Sequence, residues 1–407
     1  MDNKKVIVQM FARDFQEPPR ISQMCRDLSE KGFIVYRILF KKNKIKRDYK
    51  ENYKTIIVKK NGFLTEKPSN NITILDLIFF GIIGAGKIKK INKKNKIDIM
   101  HCHRHSSLIP AFISKFMGVK AKIVLDYHDP WSGESTILEN NSINFASKMK
   151  IKLFHMFERF CFKYVNHIVV VSEPQKKFLK NSYKLKDEYF TRVTNSAAAA
   201  NNRYFNPKKK NKDKFGWEKK KVVLFTGSIV PYFGLDLLID SIPFVIKKIP
   251  NAFFAIKIAE EIKDKGYYNE LLKKIEENGI KKNVEFISEW MADEKYAEFV
   301  CSADLGAICH QKTLLTETAD PDKLYEYLAA GLPIVATDLE IMKRFVKDKK
   351  NGFIVKNNPK NIAEAIIKIL SNEKLRRKMS FNSRKMRFDW KDDFNKLLNT
   401  YNKLIKK

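Results

Sequence analysis

Cysteine is scarce and scattered. Five residues (Cys25, Cys102, Cys161, Cys301 and Cys309) occur in 407, and none forms a C-x-x-C pair. An odd number at wide spacing does not make the disulfide framework of a secreted domain, so the expected compartment is the reducing cytoplasm. Glycine (15) and proline (13) are too few for a collagen-like or low-complexity chain, and 44 % hydrophobic residues exclude disorder. The opening MDNKKVIVQMF lacks the apolar run and small-residue cleavage site of a signal peptide. The most apolar stretch, residues 72–85, is interrupted by Asp76. It falls short of the roughly 20 residues needed to cross a bilayer, so no spanning segment is expected.

Basic residues are abundant: 79 Lys and Arg against 46 Asp and Glu, a formal net charge of +33, with Arg only 14 of the 79. The surplus is spread along the chain, whereas a nucleic-acid reader concentrates Arg in one stripe. Two readings remain, a solvated surface or attraction to an anionic membrane, where each Lys adds about 1 kcal/mol.

Length suggests two or three domains at roughly 100–200 residues each. β-branched runs alternate with amphipathic helical patterns throughout. Strands are expected at 5–10, 33–40, 97–102, 121–127 and 168–171, with helices at 20–31, 107–117 and 145–163 between them. Residues 207–221, PKKKNKDKFGWEKKK, read as a solvated connector. The alternation then restarts, with strands at 222–226, 253–258, 284–287, 305–308, 333–336 and 353–355. This predicts two doubly wound α/β domains, 1–206 and 207–387, with a final helix, 388–407, returning to the first. Ligands of such sheets bind beyond the carboxyl ends of the strands, and the cleft between two facing domains is the default site.

The segment 321–336, PDKLYEYLAAGLPIVA, carries the most chemistry. Asp320 is expected to cap a helix that begins at Pro321, and Gly331 and Pro333 to end it. Lys323, Glu326 and Tyr327 sit three and four apart and can share a face. The helix N-terminus suits an anion, and a carboxylate one turn deeper can accept two hydrogen bonds from a vicinal diol.

This segment resembles the hallmark of retaining glycosyltransferases with the GT-B fold, family 4 or group 1 type. Further resemblances follow in order: VLFTGSIVPYFG at 223–234, ADLGAI at 303–308, DYHDPW at 126–131, VVVSEP at 169–174, the Asn-Ser start of 193–205, and Asp389-Trp390 with its terminal helix. The resemblance implies two facing Rossmann-like domains with an interdomain cleft, the first binding an acceptor and the second a nucleotide sugar. A UDP- or GDP-sugar would be the co-substrate, with no other cofactor and no metal. Glu326 would bind the ribose. Gly227, Ser228 and Gly234 would leave room for the diphosphate, and Asp320, Asp322 and Thr318 would line the donor site. Lys323 would act in catalysis with His128. Asp129, His103 and Arg104 would lie on the acceptor side. Many relatives carry Glu where Thr318 stands, and commonly Arg and Lys where Ser228 and Phe233 stand. Lys323 and Lys257 are then the candidate cations for the diphosphate. The chain also has Ile258-Ala259-Glu260 in place of a glycine-rich strand end, and Asp14–Pro19 in place of a glycine-rich first loop.

The implied activity is sugar transfer, with retention, to a glycan or lipid-linked acceptor in cell-surface polysaccharide or glycolipid synthesis. The expected setting is the cytoplasm or the inner membrane face. The alternatives are an inverting transferase or sugar-nucleotide epimerase, a basic nucleic-acid binder, and a silent sugar-binding homologue. His101, Cys102, His103 and His105 could ligate a metal, but strand alternation points neighbours apart and no second ligand group has zinc spacing. Asp320-Pro321-Asp322 opens a helix rather than ending a strand, which argues against a D-x-D metal motif. Residues 72–83, followed by five lysines, read either as a core helix with a basic tail or as a helix dipping into lipid headgroups.

Overall fold

The computed structural model describes residues 4–12, 19–41, 52–59, 74–130, 145–196, 204–206, 210–258, 262, 264–386 and 388–406. The chain forms two compact units, Met1–Ala197 with Trp390–Lys407, and Ala198–Asp389.

In the first unit seven strands pair in the order β3-β2-β1-β4-β5-β6-β7, all parallel. They are β1 Val6–Phe11, β2 Ile34–Lys41, β3 Lys54–Lys59, β4 Ile99–His103, β5 Lys122–Tyr127, β6 His167–Val170 and β7 Phe190–Arg192. The central strands are buried on both faces, as their near-continuous apolar runs require. Helices Ile74–Lys94, Leu108–Phe116 and Phe145–Tyr164 contribute side chains to one core layer. Helices Pro19–Glu30 and Trp390–Lys406 contribute to the other.

The second unit repeats the plan with six parallel strands in the order β10-β9-β8-β11-β12-β13. These are β8 Lys221–Thr226, β9 Ala252–Lys257, β10 Val284–Ile287, β11 Leu305–Ile308, β12 Ile334–Thr337 and β13 Gly352–Val355. In both sheets the order reverses at one place, between β1 and β4 and between β8 and β11. That reversal is where doubly wound sheets open a crevice at the strand ends.

Strands β3 and β7 and helices Leu314–Thr318, Met342–Phe345 and Glu373–Lys385 were not expected from the sequence. The expected solvated connector is also corrected over its described part. Trp217 is fully buried in a core with Phe253 and Phe299, and Lys210 and Lys212 pair with buried Asp304 at 3.2 and 2.5 Å. The lysines disguised a packed segment. The motif helix spans Asp322–Ala329, with Pro321 as its cap residue and no side-chain cap. Asp320 does not cap it; its buried carboxylate accepts from Tyr325 Oη at 2.8 Å and Arg344 Nη1 at 3.0 Å. Gly331, at φ 66°, follows the helix end in the left-handed conformation expected of it.

Candidate active site

The first unit's candidate site is built at the ends of β1, β4 and β5. Asp126, fully buried at the end of β5, is bonded to the Arg20 guanidinium through one oxygen. Its other oxygen lies 3.0 Å from His103 Nδ1, 3.4 Å from His101 Nε2 and 3.6 Å from His128 Nε2. Two further groups hold the His103 and His101 rings. Gln9 Oε1 lies 2.7 Å from His103 Nε2, and Tyr401 Oη lies 2.5 Å from His101 Nδ1. Tyr401 belongs to the terminal helix, which is further tied down by Asp393 accepting from the Thr194 backbone N–H at 3.1 Å.

Burial alone would raise the Asp126 carboxyl, but Arg20 and the imidazoles outweigh it and hold it well below the usual range. Burial pushes His103 down to about 3 and lowers His101 and His128 despite the nearby carboxylate. The imidazoles are therefore neutral around pH 7. His128 is the slightly exposed member, 3.3 Å from His103 Nδ1.

His103, expected to line the acceptor side, is fully buried, so it reaches that side only through its contact with His128. Arg104 and Asp129 form a partly exposed ion pair of 2.5 Å beside the cluster. Arg104 adopts φ 67° and ψ 164°, a conformation nearly confined to glycine.

His101 and His103, two apart on β4, share a face, and Asp126 joins them from the next strand. Their ligand atoms lie within 4.8 Å of one another, so these three could offer donors to a metal. The sequence reading missed Asp126 because its contribution comes through strand pairing. With Arg20 on the carboxylate and Gln9 and Tyr401 on the rings, every member already has a hydrogen-bonding partner.

The second unit's candidate site sits at the ends of β8 and β11 and the start of helix Asp322–Ala329. Lys323 is buried, and its ammonium makes no hydrogen bond among the described residues. It lies 4.7 Å from the Phe225 ring centre and 4.4 Å from that of Phe233. Burial lowers its pKa to about 8, with Glu326 pulling the other way. Gly227, at φ 146°, faces this ammonium, and a Cβ there would come within 2.7 Å of it. Gly234 is equally constrained, because a Cβ would fall 1.8 Å from the Cys309 carbonyl oxygen.

Glu326, half-buried, accepts from Tyr296 Oη through Oε2 at 2.7 Å, and nothing described holds Oε1. Burial raises its pKa, against the pull of Tyr296 and Lys323. Tyr327 instead turns into the core, accepting from the Thr226 N–H at 2.9 Å, beneath Gly306, which has no room for a Cβ.

His310, just past β11, was missed. It is buried, stacked 4.6 Å from Phe233, and neither ring nitrogen has a partner among the described residues. Burial and then Lys323 hold it well below the usual histidine range. The signal was available: a histidine two residues past a strand that ends at the switch point.

Other expected donor residues are less well placed. Lys257 pairs with Thr226 across β8 and β9, but its ammonium donates to the Ile258 carbonyl at 2.9 Å. Thr318 is buried and donates to the Leu314 carbonyl at 2.7 Å, within its own short helix. Asp320 is spent on Tyr325 and Arg344, as above. Asp322 is exposed on the helix's first turn, and Ser228 is half-buried after Gly227. Residues 14–18 and 259–260 lie outside the described residues.

The Glycosyltransferase Family 4 description matches residues 21–196, and Glycosyl transferases group 1 matches residues 207–386. Chitobiosyldiphosphodolichol beta-mannosyltransferase of Candida albicans is 23 % identical over 63 % of this chain and 56 % of its own length. The match thus spans little more than half of that relative. An uncharacterized glycosyltransferase of Methanocaldococcus jannaschii is 27 % identical over 84 % of both chains. Sucrose-phosphate synthase of Thermosynechococcus elongatus superposes with TM-score 0.77, at 15 % identity, over 99 % of this chain and 100 % of its own. An Anabaena protein crystallised with UDP and glucose gives 0.72 at 14 %, over 98 % and 100 %. Two parallel doubly wound sheets, with the two family matches falling in succession along most of the sequence, show that this chain belongs to the group 1, family 4 type of glycosyltransferases with the GT-B fold.

Proposed function

We propose that this protein transfers a sugar from a nucleotide-sugar donor, a UDP- or GDP-sugar, to a hydroxyl of a glycan or lipid-linked acceptor. The setting would be synthesis of cell-surface polysaccharide or glycolipid on the cytoplasmic side. The observation that carries this is Lys323, a buried cation without a hydrogen-bonding partner beside a half-exposed carboxylate, at the switch point of the second sheet. A buried unpaired charge is costly and is retained where a ligand completes it. A diphosphate supplies that complement, and Glu326 Oε1 is left to meet the ribose diol. Gly227 and Gly234 keep the approach narrow. His310 gains a partner when an oxygen of the donor reaches it.

The first unit would hold the acceptor, with His128 presented by Asp126 and His103. A carboxylate tied to Arg20 and a neutral, buried imidazole make weak bases. This favours attack positioned by the protein and driven by the departing diphosphate, hence retention. No described helix is long and apolar enough to cross a membrane. A thermal-shift screen of nucleotide sugars tests donor binding directly, because a ligand of the native state raises its melting temperature. NMR of the product then reads the anomer: an inverted product contradicts retention, and no stabilisation by any nucleotide sugar contradicts the donor assignment.

A further inference from the structure

The buried polar cluster of the first unit closes into a circuit that dictates where each proton sits. From Asp126 it runs through His101, Tyr401, Gln9 and His103, all fully buried, and returns to the same carboxylate oxygen. Strand pairing brings the members together: Gln9 lies opposite His101 on β1 and β4, and His103 opposite Asp126 on β4 and β5. Tyr401 arrives from the terminal helix.

A carboxylate only accepts hydrogen bonds, and a neutral imidazole has one N–H and one bare nitrogen. The three imidazoles are neutral around pH 7, since burial lowers each below the ordinary histidine value. His101 Nε2, 3.4 Å from Asp126, therefore carries the proton of its ring, and Nδ1 is bare. Tyr401 Oη donates to that bare nitrogen at 2.5 Å. The phenol has then spent its only proton, so its oxygen accepts from Gln9 Nε2 at 3.3 Å. The same amide nitrogen meets Met24 Sδ at 3.3 Å, which occupies its second hydrogen. The Gln9 oxygen is thereby turned to His103, whose Nε2–H donates to it at 2.7 Å.

His103 Nδ1 is left bare, 3.0 Å from the Asp126 oxygen. Two facing lone pairs need a proton between them, and among the described residues only His128 is placed to give one. Its Nε2 lies 3.3 Å from His103 Nδ1 and 3.6 Å from the Asp126 oxygen. The two nitrogens of an imidazole point in diverging directions. His128 Nδ1 is therefore the bare nitrogen, at the exposed edge of the ring, with no partner among the described residues.

We infer that Gln9 and Tyr401 are positioning residues: through His103 they hold His128 in the tautomer whose accessible Nδ1 accepts a hydrogen bond from a substrate hydroxyl. An ionised phosphate or carboxylate has no proton to offer and would meet a lone pair there. The contact thus selects a hydroxyl over an anionic group. That selectivity rests on the transfer reading; the tautomer does not.

The test uses the full chain with isotope-labelled histidine and a long-range proton–nitrogen correlation spectrum at neutral pH, which reads the tautomer of each ring. His128→Gln assigns the His128 signals. The wild type is expected to show His128 protonated at Nε2 and bare at Nδ1. In Gln9→Met, His103 loses the acceptor for its Nε2–H, and in Tyr401→Phe the Gln9 amide loses the group that orients it. In both, His103 is expected to turn its proton to Asp126 and His128 to carry its own on Nδ1. Release of nucleoside diphosphate from a nucleotide sugar gives a second readout. Both variants should lower kcat about tenfold, the worth of one hydrogen bond, and leave the donor KM unchanged. His128 protonated at Nδ1 in the wild type overturns the inference, as does a tautomer or a kcat that neither folded variant alters. Failure of the wild type to bind any nucleotide sugar counts against the transfer reading, and the spectrum still decides the tautomer.

Discussion

Both sheets place buried ionic groups near the point where the strand order reverses, and the two units treat them oppositely. In the first unit Asp126 is surrounded by Arg20 and three imidazoles, and the outer ring atoms are held in turn. In the second unit the Lys323 ammonium lies between aromatic rings with no hydrogen-bonding partner among the described residues, and His310 beside it has none for either nitrogen. A closed network is a scaffold: it fixes His128 and stabilises the fold. An open one is a socket. Because folding tolerates few unpaired buried charges, the buried ammonium left without a hydrogen bond is what supports the proposal of a charged ligand in the second unit.

Substitutions that open the closed network should do the most damage. Asp126→Asn leaves a buried guanidinium without its counter-charge and is expected to cost about 3–5 kcal/mol of stability in denaturant unfolding. Lys323→Met, which removes an unpaired charge, should leave the melting temperature unchanged or higher. Equal destabilisation by the two would erase the contrast. Glu326→Ala should weaken nucleotide-sugar affinity by about ten- to hundredfold through loss of charge-assisted hydrogen bonds to the ribose, with the fold intact by circular dichroism.

The pH responses differ in sign. His103 has its pKa lowered from 6.5 to about 3, so the unfolded chain takes up a proton that the native state refuses. The stability from this group is therefore full above 6.5 and declines as pH falls toward 3, by at most about 1.4 kcal/mol per pH unit, readable in denaturant melts. Lys323, lowered from 10.5 to about 8, releases its proton in the native state first, so apo stability from this group rises with pH between those values. Donor affinity should do the reverse, falling as pH rises through about 8, by at most about tenfold per pH unit in titrations. Affinity flat to pH 10 would separate Lys323 from the diphosphate.

Much of this was legible in the sequence where the determinants are local. Lys323 and Glu326 lie within one helical turn, and the central strands announce themselves as apolar runs. What was not legible is what topology assembles. Asp126 meets His101 and His103 because β4 and β5 are neighbours, and Tyr401 reaches His101 across 300 residues of sequence. Asp320 has the right chemistry for a cap, yet Arg344 and Tyr325, drawn in by tertiary packing, take its carboxylate. Trp217 was concealed among lysines whose ammonium groups turn to Asp304. Short edge strands such as β7, three residues long, carry too little pattern to be recognised.

The most direct test of the socket is calorimetric titration of UDP- and GDP-sugars into the wild-type protein and Lys323→Met at pH 7. The account predicts that one of these donors binds the wild type and that the variant, folded and no less stable, binds it about 100-fold more weakly. Unchanged affinity in a folded Lys323→Met protein would contradict it.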